Sequence, residues 1–158
     1  VAQELAGRRF DLLGEEADPH LNAVTDAGSG TLVIVGERGT FLRSTDGGEN
    51  WQKLGFPYKG SMFGVLSWGD GRLMAYGLRG NVYESQDLGS SWSKVETQGS
   101  TSLMGGLALP GGGAVLVGAN GTVLARSASA AASCSATVTA RPSRPGTAAR
   151  CRTIACAA

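Results

Sequence analysis

The chain has 158 residues, 42% of them hydrophobic and 17% charged, with a formal net charge of +1. That is the length of one globular domain, and the composition excludes collagen-like, supercharged and uniformly disordered chains. No run approaches the ~18–20 consecutive apolar residues of a membrane-spanning helix, and the near-neutral charge carries no nucleic-acid footprint.

These averages conceal a division near residue 124. Of the 25 glycines, 24 lie in residues 1–124, and no aromatic residue follows Trp92. Residues 1–124 carry 9 basic and 13 acidic side chains, net −4; residues 125–158 carry five arginines and no acid, net +5. The three cysteines, Cys134, Cys151 and Cys156, all fall in the second part, at spacings that match no zinc pattern.

In chain order, residues 1–20 read as a lead-in or as the last strand of a preceding unit, with only a weak helical period over 1–18. Arg8-Arg9 is followed by no apolar run, so this segment reads as lacking an intact signal peptide, and Val1 reads as the start of a processed or excised product. From there an internal repeat takes over. GERGTFLRS at 36–44 returns as GLRGNVYES at 77–85 and begins again as GANGTVL at 118–124, an interval of 41 residues each time. A glycine turn and an apolar run precede every copy. Ser-x-Asp-x-Gly-x-x-Trp follows the first two, as Ser44, Asp46, Gly48, Trp51 and as Ser85, Asp87, Gly89, Trp92.

Each unit reads as four short strands; in the second they fall at about 62–68, 72–77, 81–86 and 92–97. A period of ~40–45 residues with four strands is that of a β-propeller blade, a sandwich or β-solenoid being the rival reading. The expected fold is therefore all-β: an incomplete propeller of two to three four-stranded antiparallel blades (repeats at about 21–61, 62–102 and a partial 103–124). The Ser-x-Asp-x-Gly-x-x-Trp stretch falls where the chain reverses between the third and fourth strands. Its Asp accepts hydrogen bonds from its own turn, its Gly supplies a positive φ, and its Trp opens the outer strand with its ring between adjacent blades.

At the third unit the pattern fails. Residues 125–133, ARSASAAAS, offer neither acid nor glycine, and beyond them nearly everything is Ala, Ser, Thr, Arg, Pro and Cys, with one glycine and few large aliphatics. The expectation for 125–158 is a disordered, low-complexity basic tail with weak helix at most over 125–136. So abrupt a change in mid-blade reads as a reading-frame change in GC-rich DNA, a genuine basic tail being the alternative.

The repeated motif resembles the Asp-box, or bacterial neuraminidase repeat, of sialidases and many non-enzymatic propellers. The longer stretches GERGTFLRSTDGGENWQKL and YGLRGNVYESQDLGSSWSKVET resemble the photosystem II assembly and stability factor family and its exported relatives, over about residues 21–124. The resemblance implies a seven-bladed ring in the whole protein, a non-catalytic scaffold acting through protein partners (a membrane-protein complex among them), no cofactor, and an extracytoplasmic location. A sialidase-like glycosidase or carbohydrate-binding propeller is the alternative, and a non-functional fragment the second. Tyr58, Tyr76, Tyr83 and Glu84 match a sialidase only in kind, with no diagnostic spacing. His20, the single histidine, reads as an exposed turn residue.

Turn parity places the loops between strands two and three, and the blade-to-blade linkers, at one end of the ring. That end gathers Arg38, Arg79 and Asn120 at equivalent repeat positions, with Tyr58 and Lys59 in the first linker, as a candidate anion- or acidic-peptide-binding surface. No catalytic or metal-binding residues are assigned. An array with open blade faces and edges is expected to self-associate.

Overall fold

The computed structural model describes residues 19–128 together with the backbone of 136–139. Three antiparallel sheets follow one another along the chain. The first contains β1 (Leu21–Gly28), β2 (Thr31–Gly36), β3 (Phe41–Ser44) and β4 (Gln52–Lys53); the second contains β5 (Met62–Ser67), β6 (Leu73–Gly77), β7 (Val82–Ser85) and β8 (Ser93–Val95). The third contains β9 (Leu103–Ala108), β10 (Ala114–Gly118), β11 (Thr122–Arg126) and β12 (Ala136–Thr139). Within each sheet the strands pair in sequence order, the up-and-down pattern of a propeller blade.

The 41-residue period governs the pairing as well as the sequence. Val33 pairs with Arg43 in the first sheet, Met74 with Glu84 in the second and Val115 with Ala125 in the third. The innermost strand of each sheet carries an irregularity at its start, between Leu21 and Ala23, between Met62 and Gly64, and where Leu103 meets Gly118. Asn22, in the first of these, donates from Nδ2 to the Met62 carbonyl at 2.9 Å and so ties two inner strands together.

Burial follows from the two-residue alternation of strand side chains. In the middle sheet Val65, Leu73, Ala75 and Tyr83 turn toward the first sheet and join Val33, Val35, Phe41 and Phe56 in one core. Leu66, Met74, Tyr76 and Val82 turn the other way and join Leu103, Leu116 and Leu124 in a second. Every residue of β6 is buried, because only this sheet has a described neighbour on both faces. The outer sheets instead leave Val24, Leu107 and Val117 exposed at 63%, 62% and 44%.

Two expectations need correction at the C-terminal side. The third sheet does not stop at 124, since β11 runs to Arg126 and leaves no helix at 125–126. Ala136–Thr139 then pairs antiparallel with β11, from Thr122 opposite Thr139 to Ala125 opposite Ala136. A disordered tail from residue 125 therefore does not hold for these two stretches; residues 129–135 and 140–158 lie outside the described residues, as do residues 1–18. The physical reason is local. The edge of β11 offers a row of unpaired N–H and C=O groups, and Thr137, Val138 and Thr139 are β-branched residues suited to a pleated ladder.

Candidate functional site

The end that carries the β2–β3, β6–β7 and β10–β11 turns is built three times on one plan. Arg38, Arg79 and Asn120 occupy the left-handed region, with φ of 53°, 58° and 56°. Each is followed by a glycine that is also left-handed, Gly39, Gly80 and Gly121. The segment leading into each sheet clamps the turn from outside: the N–H groups of Glu37, Leu78 and Ala119 donate to the carbonyls of His20, Ser61 and Ser102 at 2.9–3.0 Å. These acceptors are themselves 41 residues apart. The linkers cross the same turns, with Gly39 N–H donating to the Gly60 carbonyl and Thr97 Oγ1 donating to the Gly80 carbonyl at 2.7 Å.

This scaffold fixes where the charges sit. Arg38, Lys59, Arg79 and Asn120 are exposed, and among the described residues neither arginine nor the lysine forms a salt bridge, although the charge of Arg38 acts on the neighbouring Glu37 carboxylate. The Arg79 backbone is held by the Ser102 hydroxyl at 3.3 Å. The nearest acid in sequence is Glu37. Its Oε2 lies 3.2 Å from His20 Nδ1, and hydrogen bonding to His20 holds its carboxyl below the ordinary range. His20 is itself 83% exposed.

Tyr58 differs from the other candidates. Its ring stacks on Tyr83 with centroids 6.2 Å apart and planes at 23°, and it is half-buried. It packs against the core between the first and second sheets. The five candidate residues thus belong to one end of the array, four as exposed groups and one as partial support.

The opposite end carries the Ser-x-Asp-x-Gly-x-x-Trp turns. Ser44 Oγ donates to Asp46 Oδ1 at 2.7 Å and accepts from the Gly48 N–H at 2.9 Å; Asp46 then accepts from both the backbone and the side-chain amide of Asn50. The second copy repeats this with Ser85, Asp87, Gly89 and Ser91. These donors lower both carboxyls to about 2. A carboxylate so fully engaged by its own turn is a brace for the chain reversal. No group of three or more potential metal ligands lies among the described residues.

The aromatic half of the motif is asymmetric. Trp92 lies between the first and second sheets against Phe41 and Phe56, at centroid distances of 5.2 and 4.9 Å. Trp51 is half-buried, and its Nε1 donates to the Gly48 carbonyl at 3.1 Å. Each ring precedes its outer strand by one residue, since β4 begins at Gln52 and β8 at Ser93.

Three residues outside the motifs bind the sheets to one another. Arg43 reaches across to the Leu88 carbonyl and the Ser90 hydroxyl at 3.0 and 3.1 Å. Trp68 inserts its Nε1 between the Leu109 and Gly113 carbonyls of the third sheet, at 3.2 and 3.1 Å. Arg126 pairs with Glu84 and lies over the Trp68 ring at 5.5 Å. Burial, and then the charge of Arg72, push the Arg126 pKa down. The repeat hides these residues because each differs in type from its counterparts in the other units.

No protein-family model matches this chain, and no curated protein matches it. Solved structures do. A YCF48 bound to D1 peptide is similar with a TM-score of 0.61 and 23% identity, over 77% of this chain and 41% of that one. YCF48 from Cyanidioschyzon merolae is similar with a TM-score of 0.59 and 21% identity, over 72% of this chain and 38% of its own. The chain thus spans about two fifths of the length of these structures. The likeness establishes the fold: three successive four-stranded sheets forming part of a β-propeller.

Proposed function

We propose that this chain is a non-catalytic propeller scaffold, akin to the photosystem II assembly factors and their exported relatives, that captures a protein partner at the end bearing Arg38 and Arg79. The observation that carries this reading is the placement of two exposed arginines on equivalent left-handed turns of adjacent sheets, neither in a salt bridge among the described residues. Lys59 adds a third cation and Asn120 an amide on the third turn. Guanidinium groups on fixed turns suit carboxylates, which they engage through two parallel hydrogen bonds. The matching partner is an acidic peptide or a free C-terminal carboxylate. The YCF48 solved with a D1 peptide supports a peptide as the class of ligand. An extracytoplasmic location belongs to the same proposal. So does self-association through the open faces that carry Val24, Leu107 and Val117.

The test is fluorescence anisotropy with a labelled acidic peptide ending in a free carboxylate. Arg38→Glu/Arg79→Glu is expected to weaken binding by at least about tenfold, equivalent to ~1.4 kcal/mol. Raising the salt should weaken the parent's binding in the same direction. Unchanged affinity in the double variant would remove the arginines from the function.

A further inference from the structure

We propose that a second copy of this chain docks on its two open sheet faces, so that two copies close head to tail into one ring of sheets. This deepens the self-association included in the reading above and rests on it. The argument comes from the two seams inside the chain, which are built alike. Val33 and Val35 of the first sheet share one core with Val65 and Ala75 of the second. One repeat on, Met74 and Tyr76 of the second sheet share the other core with Leu116 of the third. Each sheet thus has a forward face, turned to the next sheet, and a rear face, turned to the previous one. Both seams join a forward face to a rear face.

The rear face of the first sheet and the forward face of the third have no described sheet against them. Leu21 and Val24 on the first are 50% and 63% exposed, while Met62 and Val65, one repeat on, are 0% and 6% exposed. Leu107 and Val117 on the third are 62% and 44% exposed, while Leu66 and Tyr76, one repeat back, are 8% and 6% exposed. Met104, also exposed, holds the position from which Asn22 ties the first sheet to the second. The exposed large hydrophobic residues among the described residues are these five, Leu21, Val24, Met104, Leu107 and Val117. The chain therefore presents the two unlike halves of its own seam, and a second copy carries the mate of each. Contact between unlike faces is head to tail, and it ends when the rotation completes a ring. Two copies bring six described sheets, and six is the one multiple of three within the roughly four to eight blades of a propeller. Closure makes both contacts at once, so each strengthens the other.

The test is sedimentation equilibrium of the full chain at up to about 100 µM. The parent is expected at twice the 16.1 kDa of one chain. Val24→Glu spoils the rear face and Leu107→Glu the forward face, and each variant alone is expected at the mass of one chain. Mixed in equal amounts they should recover a two-chain species, because one intact forward face then meets one intact rear face. That species should be weaker than the parent, with one contact in place of two. Val24→Lys and Leu107→Lys repeat the scheme where circular dichroism shows that a glutamate variant has not folded. The proposal falls if the parent sediments as one chain, which assigns the faces to another partner, or as more than two. It falls equally if a folded single variant still pairs, the result of like-with-like docking, or if the mixture stays monomeric. The peptide assay separates this outcome from that of the arginine surface. A two-chain parent whose peptide binding ignores Arg38→Glu/Arg79→Glu overturns the arginine reading alone, and a single-chain parent whose binding is lost in that variant overturns this one alone.

Discussion

Trp92 meets Phe41 edge-on, with ring centroids 5.2 Å apart and planes at 84°. One ring belongs to the turn before β8 and the other to β3, so the contact joins two sheets. Gly89, three residues earlier, lies so close to Phe41 that an added Cβ would approach its ring to 2.3 Å. Trp92→Ala should destabilise the chain by somewhat less than the ~3–5 kcal/mol usual for deleting a fully buried ring, because Trp92 is partly buried. Trp92→Phe should cost much less, because it keeps the ring contact and removes an indole N–H that has no partner among the described residues. Urea titration read by circular dichroism distinguishes the two. Equal losses would place the seam's strength elsewhere.

Asp46 and Asp87 give the fold a defined acid response. Hydrogen bonds from Asn50 and Ser44, and from Ser91 and Ser85, lower their carboxyls from 3.8 to about 2. A depressed carboxylate contributes stability above its unfolded pKa and loses it as pH falls through the folded one. The urea midpoint should therefore fall as pH drops from about 4 toward 2. Asp46→Asn/Asp87→Asn should lower the midpoint at pH 7 and flatten that part of the profile. A double variant with the parent's slope would assign the acid response to other groups.

Much of this arrangement was legible in the sequence, and the limits are physical. The repeat located the four strands of the second unit to within a few residues, because glycine turns interrupt short apolar runs at a fixed interval. The brace made by Ser44 and Asp46 could be read because it is local: donor and acceptor lie within one turn. What escaped was either non-repeated or non-local. Leu88 adopts φ 55° at the position where the first unit has Gly47, a conformation that residue type does not announce. Trp68 and Arg126 act across a seam on partners about forty residues away. β12 escaped because its alanine- and threonine-rich segment gains its place from the open edge of β11 more than from its own composition.

Gly80 and Gly121 separate two effects that usually act together. Both are left-handed, at φ 68° and 69°, and both follow the left-handed residue of a turn. A Cβ on Gly80 would come within 2.6 Å of the Gly99 carbonyl, whereas Gly121 has nothing within 4 Å. Gly121→Ala should therefore cost only the left-handed strain, about 1–2 kcal/mol. Gly80→Ala adds a backbone collision that no side-chain rotation relieves, and its loss should be clearly larger. Thermal melts of the two variants test this directly; equal shifts in Tm would mean that the linker at Gly99 moves freely aside.

The Glu84–Arg126 pair is the strongest test of whether the third sheet is an integral part of this array. Arg126 lies in the stretch where the repeat has already broken down, yet its guanidinium reaches a carboxylate in β7, donates to the Gly112 carbonyl at 3.3 Å and covers Trp68. Both side chains are only 22% exposed, so water screens the pair less than it would a surface bridge. Removing one partner leaves the other half-buried and unpaired, and the two single losses should overlap strongly. A double-mutant cycle of Glu84→Ala and Arg126→Ala should give a coupling of about 1–3 kcal/mol that persists in high salt. Arg126→Lys should not restore it, because an ammonium cannot both pair with the carboxylate and stack on the indole. A coupling near zero would mean that the third sheet is held by the core around Leu103, Leu116 and Leu124 and by the Trp68 hydrogen bonds, without help from the ion pair.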